Sequence, residues 1–191
     1  NRASPILRPP EQPDGCDILV LESTYGDREH MLSDEELRDA LHEIVGRAID
    51  KGGHVLIPGF AIGRAQALLG HIDALVNEGR LPELPLAIEA PMGLHVAPSY
   101  RRCRSLYDPK TLGRIHAGEA AFDLEHFYAV SEPWPSRSLK GGEPMLVIAG
   151  DEMCVAGPIL DHLRELLPLP ETCLLFLGYA ARGTLGLTIQ S

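Results

Sequence analysis

The stretch Cys16-Asp-Ile-Leu-Val-Leu-Glu-Ser-Thr-Tyr-Gly-Asp-Arg-Glu-His30 decides the expected fold, because an apolar run ends abruptly in it on a carboxyl group, two hydroxyls and an aromatic ring. Residues 18–21 are apolar at four consecutive positions, which is typical of a strand buried on both faces of a parallel sheet. Ligands of open α/β sheets collect at the carboxyl ends of the strands. We therefore expect residues 22–25, Glu-Ser-Thr-Tyr, to lie where the chemistry takes place.

Composition limits the function classes. The 191 residues are 45% hydrophobic and 23% charged, which is ordinary for a soluble globular chain of one domain or at most two. The net charge of -10 excludes a global basic field, so any contact with nucleic acid must be local, or supplied by metal ions or another domain. No run in the sequence approaches the roughly 20 apolar residues of a membrane span, and we expect a cytoplasmic protein without a signal peptide or membrane contact.

Strand-like and helix-like segments alternate along the rest of the chain. Residues 1–16 carry four prolines and are expected to form a connecting arm, cut from something longer, while residues 17–191 form one domain. A capping box from Ser33 to Glu36 predicts the start of a helix that ends at Gly52. Further strands are predicted at 54–58, 85–90, 126–130, 144–149 and 173–177. The expected fold is α/β, with a mostly parallel, Rossmann-like sheet flanked by helices.

Polar or glycine-bearing turns follow several of these strands. Arg64 lies in the first turn of a helix whose free N–H groups can receive an anion. Glu89 ends the 85–90 strand, where it lies either on a polar rim or simply in solvent. The turn Gly178–Gly186 spaces its glycines as a P-loop does, but Thr184 stands where the lysine belongs, which excludes an NTPase and leaves only the hypothesis of an anion-binding nest.

Residues 95–120 hold the only basic cluster of the sequence. Its arginines are interleaved with Tyr100 and Tyr107, an arrangement that suits a phosphate backbone with unstacked bases. A solvated helix face with half-buried tyrosines explains the pattern equally well, and both interpretations stay open.

The cysteines do not suggest a disulfide or a metal site. They are far apart and form no C-x-x-C pair, so we predict small buried thiols. The four are Cys16, Cys103, Cys154 and Cys173.

Four ordered blocks, residues 22–30, 52–66, 153–158 and 178–186, together resemble the β-CASP domain of metallo-β-lactamase-fold nucleases. That group includes ribonuclease J and the endonuclease of mRNA 3′-end processing. The resemblance extends from about Asp17 to Gly186. It implies an α/β cap inserted into a two-zinc hydrolase domain, with nucleic acid entering the cleft between the two.

The resemblance also implies roles for particular residues. Glu22 resembles the family's first acidic β-CASP residue, which is thought to orient a histidine that assists proton transfer to the leaving group. The same blocks carry the candidate substrate-binding residues, Ser23, Thr24, Tyr25, Arg64, Gly183 and Thr184.

Zinc is expected in the parent protein and not in this chain. The eight histidines are scattered, and the H-x-H-x-D-H run that binds zinc in such enzymes does not occur here. The resemblance therefore implies two zinc ions in a metallo-β-lactamase domain of the same parent chain. The expected partners are that domain and single-stranded RNA, and a homodimer is left open.

One segment departs from the family pattern. Gly150-Asp-Glu152 stands where a small Ser- and Gly-rich segment is usual. Each added carboxylate would repel a nearby phosphate by roughly 1 to 4 kcal/mol. Either these acids point to solvent, or the parent is a divergent or weakened nuclease.

The leading hypothesis is the substrate-clamping domain of a zinc-dependent nuclease that hydrolyses RNA phosphodiester bonds, with the isolated chain inactive. The alternative is a non-catalytic module of an inactive family member, which binds nucleic acid or a partner. A generic nucleotide-binding domain is disfavoured because no G-x-G-x-x-G follows the first strand.

Overall fold

The computed structural model describes residues 6–23, 26–27, 32–59, 63–89, 98–100, 102–117, 128–129 and 139–191. None of the helices in these ranges is long and apolar enough to cross a membrane. The elements in chain order are α1 Asp34–Asp50, β1 Val55–Pro58, α2 Arg64–Asn77, β2 Leu86–Glu89, α3 Pro109–His116, β3 Tyr128–Ala129, β4 Leu146–Ala149, α4 Ile159–Leu166, β5 Cys173–Leu174 and α5 Leu185–Gln190.

The strands form one five-stranded sheet in the order β3-β2-β4-β1-β5. Every neighbouring pair in it is parallel, and Val55 of β1 lies between Leu146 of β4 and Cys173 of β5. Strands β1, β2 and β4 are buried at every position, as expected for a sheet covered on both faces. The predicted α/β fold with a parallel sheet is confirmed.

Helices cover both faces of the sheet, and the two crossover connections run in opposite directions along it. Helices α1 and α2 pack on the face that carries Ile57 and Ile148, whereas α4 packs on the face that carries Leu56 and Val147. The crossover through α2 connects β1 to β2, and the crossover through α4 connects β4 to β5 in the other direction. Because such crossovers are right-handed, they lie on opposite faces. The chain therefore leaves the neighbouring ends of β1 and β4 toward opposite faces, which is the place where open α/β sheets bind their ligands.

The start of α1 confirms the predicted capping box. The Ser33 hydroxyl accepts a hydrogen bond from the Glu36 N–H at 3.2 Å, and the Glu36 carboxylate accepts one from the Ser33 N–H at 2.7 Å. Gly52, with a φ of 71°, takes the left-handed conformation just beyond the helix. Both ends of this helix are specified by nearby residues, which is why the sequence predicted them.

Residues 18–21 do not form a strand, so that prediction is wrong. Their side chains are 69% to 92% exposed, with Val20 the most exposed. An apolar run indicates that side chains need cover, but a strand also needs backbone partners, and later segments supply all five strands of the sheet. Glu22, which follows the run, is therefore an exposed residue and not the last residue of a sheet strand.

The thiols divide into two groups. Cys16 and Cys103 are exposed, which contradicts the prediction for them, whereas Cys154 is buried and Cys173 is partly buried. Cys16 lies two residues before the exposed apolar run, so a hydrophobic neighbourhood in sequence does not bury it. Burial, together with the charge of Asp151, raises the pKa of the Cys154 thiol to about 11. All four thiols are free.

Candidate functional site

The loops that follow β4, β1 and β5, three neighbouring strands, bring an ion pair to the carboxyl edge of the sheet. Arg64 begins α2 after β1, and its Nη1 donates a hydrogen bond to the Oε1 of Glu152, which lies in the loop after β4. The side chain of Arg64 is 45% exposed and that of Glu152 is 13% exposed. The guanidinium is thus open to solvent while its counter-ion lies largely beneath the surface.

Gly178, in the chain after β5, closes the third side of this ion pair. A Cβ atom at this position would lie 2.8 Å from Arg64 Cζ and 2.9 Å from Glu152 Oε1. Those distances are shorter than real Cβ atoms tolerate, so a side chain here would displace the pair. Glycine at 178 is what allows the backbone to approach the two charged groups.

Asp151 uses its carboxylate within its own loop. Its oxygens accept hydrogen bonds from the backbone N–H groups of Met153, Val155 and Ala156, at 2.5, 3.0 and 3.1 Å. The sequence analysis left open that Asp151 and Glu152 point to solvent. The structure contradicts that arrangement, because both carboxylates have partners within the domain. The N–H dipoles and the Arg64 guanidinium offset these charges locally, so both acids repel an approaching phosphate less than bare carboxylates would.

Glu89 and His162 form a second, deeper pair that the sequence analysis missed. Glu89 ends β2 and His162 lies on α4, with the Nε2 and Oε2 atoms 3.0 Å apart and the side chains 2% and 1% exposed. The expectation of a rim or solvated acid at position 89 is wrong, because α4 covers this strand end. The available signal was the stripe Ile159, Leu163 and Leu166, since His162 falls on the same buried side of α4.

Gly183 and Thr184 lie in the turn that starts α5. The Thr184 hydroxyl accepts from the Leu187 N–H at 3.3 Å and donates to the Ala181 carbonyl at 2.6 Å, so it caps this helix. Gly183 has a φ of 82°, a conformation that favours glycine. The N–H of Gly186 donates to the Met153 carbonyl at 2.9 Å, which joins this turn to the loop after β4.

The first block of candidate residues lies apart from the sheet strands. Glu22 and Ser23 are exposed, and the Ser23 carbonyl accepts a hydrogen bond from the Gly26 N–H at 3.0 Å in a turn. Thr24 and Tyr25 lie outside the described residues.

The tyrosines of the basic cluster favour the solvated-face interpretation. Tyr107 is buried, its hydroxyl donates to the Tyr100 carbonyl, and burial raises the pKa of both phenols. Arg114 is paired with Asp73 on α2. A base could not stack on Tyr107 without opening this packing.

We searched the described residues for side chains that could together hold a metal ion. No group of three or more His, Cys, Asp or Glu side chains in those residues could hold a metal ion.

Comparison with known proteins decides the family. Residues 65–189 match the model of the Beta-Casp domain. The chain belongs to the β-CASP domain family. The resemblance that the sequence blocks indicated is thereby confirmed, while the domain boundary predicted at residue 17 stays a prediction.

Named relatives agree with this assignment. Ribonuclease TTHA0252 of Thermus thermophilus is 35% identical over 191 residues, which cover 99% of this chain and 43% of that protein. Transcription termination factor FttA is 30% identical in Thermococcus kodakarensis and 32% identical in Pyrococcus horikoshii, over 91% and 92% of this chain and 27% of each relative. The chain thus spans less than half the length of these relatives.

Proposed function

We propose that this β-CASP domain clamps single-stranded RNA for a larger, zinc-dependent nuclease that hydrolyses RNA phosphodiester bonds. Family membership and a relative named as a ribonuclease support the proposal. The observation that carries it is the half-exposed Arg64 guanidinium at the carboxyl edge, where the loops after β4, β1 and β5 meet.

Arg64 suits this task chemically. A guanidinium is a planar fork of donors that matches the oxygens of a phosphate, and open α/β sheets bind their ligands at this edge. Because the whole chain carries a net charge of -10, a local cation must supply the attraction. Gly183 and Thr184 extend the proposed contact surface through the turn joined to the loop after β4. The family resemblance adds Ser23, Thr24 and Tyr25 as further proposed RNA contacts.

The chemical step would take place in a second domain, with Glu22 as a positioning residue. Glu22 would orient a histidine from outside this chain, and the two zinc ions would lie in a metallo-β-lactamase domain of the parent protein. The exposure of Glu22 is compatible with a partner beyond the present residues. The isolated chain should then bind RNA without cleaving it.

Binding of a fluorescent single-stranded RNA by the purified 191-residue chain tests the clamp. Arg64→Gln should weaken binding about fivefold and lower the slope of log affinity against log salt by about 0.7, the value for one phosphate contact on a single strand. Arg80→Gln is the matched control, since Arg80 follows the opposite end of α2 and pairs with Asp39. Equal losses in the two variants, or no measurable binding by the unmodified chain, would contradict the proposal.

Single-turnover cleavage by the full-length parent tests the role of Glu22. Glu22→Gln should slow the chemical step while RNA affinity stays nearly unchanged, because an interaction made mainly in the transition state is lost. Glu11→Gln, at an exposed acid of the connecting arm, is the control. An unchanged rate would return Glu22 to a structural role.

The alternative is a β-CASP module that binds RNA or a partner without catalysis. Glu152 favours it, because this acid neutralises the proposed phosphate-binding cation directly. The full-length parent, supplied with zinc, would then bind RNA without cleaving it.

A further inference from the structure

We propose that Glu152 is an internal competitor for RNA, which occupies the Arg64 guanidinium until a phosphate displaces it. The inference rests on the proposed function, because it takes Arg64 as a phosphate contact. It assigns to Glu152 the control of how tightly, and in what salt, the domain binds RNA.

The unequal exposure of the two side chains is the first step of the argument. Glu152 lies largely below the surface at 13% exposure, while the guanidinium above it is 45% exposed. A guanidinium carries five N–H donors in a fork, and the hydrogen bond to Glu152 uses Nη1. Arg64 is therefore held from one side and approachable from the other, so a phosphate can approach before the ion pair opens.

The backbone around the pair limits where Arg64 can go. The tight approach of Gly178 leaves no space for the guanidinium to retreat toward the chain after β5. Arg64 is also the first residue of a 14-residue helix, whose N-terminal N–H groups place partial positive charge beside it. Two positive groups in one place attract an anion, and Glu152 supplies one from the buried side of the guanidinium.

Removing the Glu152 charge should therefore strengthen RNA binding. The local charge of the pair changes from about zero to about +1, and the phosphate no longer has to displace a carboxylate. Loss of an ion pair of this exposure changes a binding equilibrium, here that of the domain with RNA, by about fivefold.

The experiment measures anisotropy of a labelled single-stranded oligouridylate with the 191-residue chain. Glu152→Gln should bind about fivefold tighter than the unmodified chain. Glu78→Gln is the matched control, since Glu78 is paired with Arg80 beyond the last turn of the same helix, about 20 Å from Arg64. It makes the same charge change and should leave affinity within about twofold.

A double variant shows whether Glu152 acts through Arg64. The gain should vanish when Glu152→Gln is combined with Arg64→Gln, which should bind like Arg64→Gln alone. Glu152→Asp keeps the charge, retracts it by one methylene and should give a smaller gain, so it replaces Glu152→Gln if that variant does not fold.

The outcomes separate the two proposals. If the unmodified chain binds RNA and Glu152→Gln behaves like Glu78→Gln, the inference fails while the proposed function stands. A gain that persists in the Arg64→Gln background overturns the inference as well. If no variant binds RNA, the proposed function fails and the inference with it.

Discussion

Replacing His162 by leucine should destabilise the domain, because the buried carboxyl group of Glu89 loses its imidazole partner. The two side chains are 1% and 2% exposed, so water cannot replace the 3.0 Å contact between Nε2 and Oε2. The pair joins the carboxyl end of β2 to α4. Its loss should therefore loosen the helix that lies beside the candidate site.

The expected cost follows from burial. A buried polar group that loses a hydrogen-bond partner costs about 1 to 3 kcal/mol. Leucine nearly matches the volume of histidine, so the cavity term is small. It also removes the His162 Nδ1 atom, which has no hydrogen-bond partner within the described residues and whose loss offsets part of the cost. We expect a net loss of about 2 kcal/mol. The double variant His162→Leu/Glu89→Leu should lose about 1 to 2 kcal/mol less than the sum of the two single variants, because it removes both polar partners and leaves neither one buried without the other.

Urea unfolding of the 191-residue chain, followed by circular dichroism, measures these values. With a typical slope, His162→Leu should lower the midpoint by about 1 M urea without changing the slope. His116→Leu, at the exposed end of α3, is the control and should change stability by less than about 0.5 kcal/mol. Additive losses, with a coupling below about 0.3 kcal/mol, would show that His162 and Glu89 do not stabilise each other.

The remaining predictions concern a buried and an exposed valine, the reactivity of the cysteines, and the metal content of the isolated chain. Val55→Ala in β1 should lower the free energy of unfolding by about 2 to 3 kcal/mol, whereas Val20→Ala should lower it by less than about 0.5 kcal/mol, because these residues are 1% and 92% exposed. Equal losses in urea unfolding would mean that residues 18–21 are part of a core. Iodoacetamide should label exposed Cys16 and Cys103 in the folded chain, while Cys154, whose pKa is raised to about 11 chiefly by burial, should react only on unfolding. Peptide mass mapping that finds Cys154 labelled in the folded chain would contradict this. The isolated chain should retain no stoichiometric zinc after purification without chelator, and elemental analysis that finds a tightly bound ion would overturn the assignment of zinc to another domain.

Local signals made the helices and most strands predictable. The capping box at Ser33 and the glycine at 52 each act within a few residues, so they specify α1 in any context. The strands β1, β2 and β4 follow turns and are apolar except for Glu89 at the end of β2, and the structure buries them. The run at 18–21 has the same composition but is exposed, because composition does not say which strand a segment pairs with.

The site was less predictable because its contacts are distant in sequence. The position of Arg64 in the first turn of α2 was predicted correctly, because the helix comes after a strand and a glycine-bearing turn. Its counter-ion Glu152 is 88 residues away, and His162 is 73 residues from Glu89. Each pairing depends on which strands are neighbours in the sheet, and no local pattern specifies that order.

The central claim is that RNA binds at the carboxyl edge of this sheet. Backbone amide chemical shifts of the isotope-labelled chain, recorded with and without single-stranded RNA, test it most directly. We expect the largest changes at residues 63–64, 150–158 and 178–184, and small changes at the opposite edge, residues 51–54 and 78–85. Changes centred on that opposite edge, or on the basic residues 102–114, would contradict it.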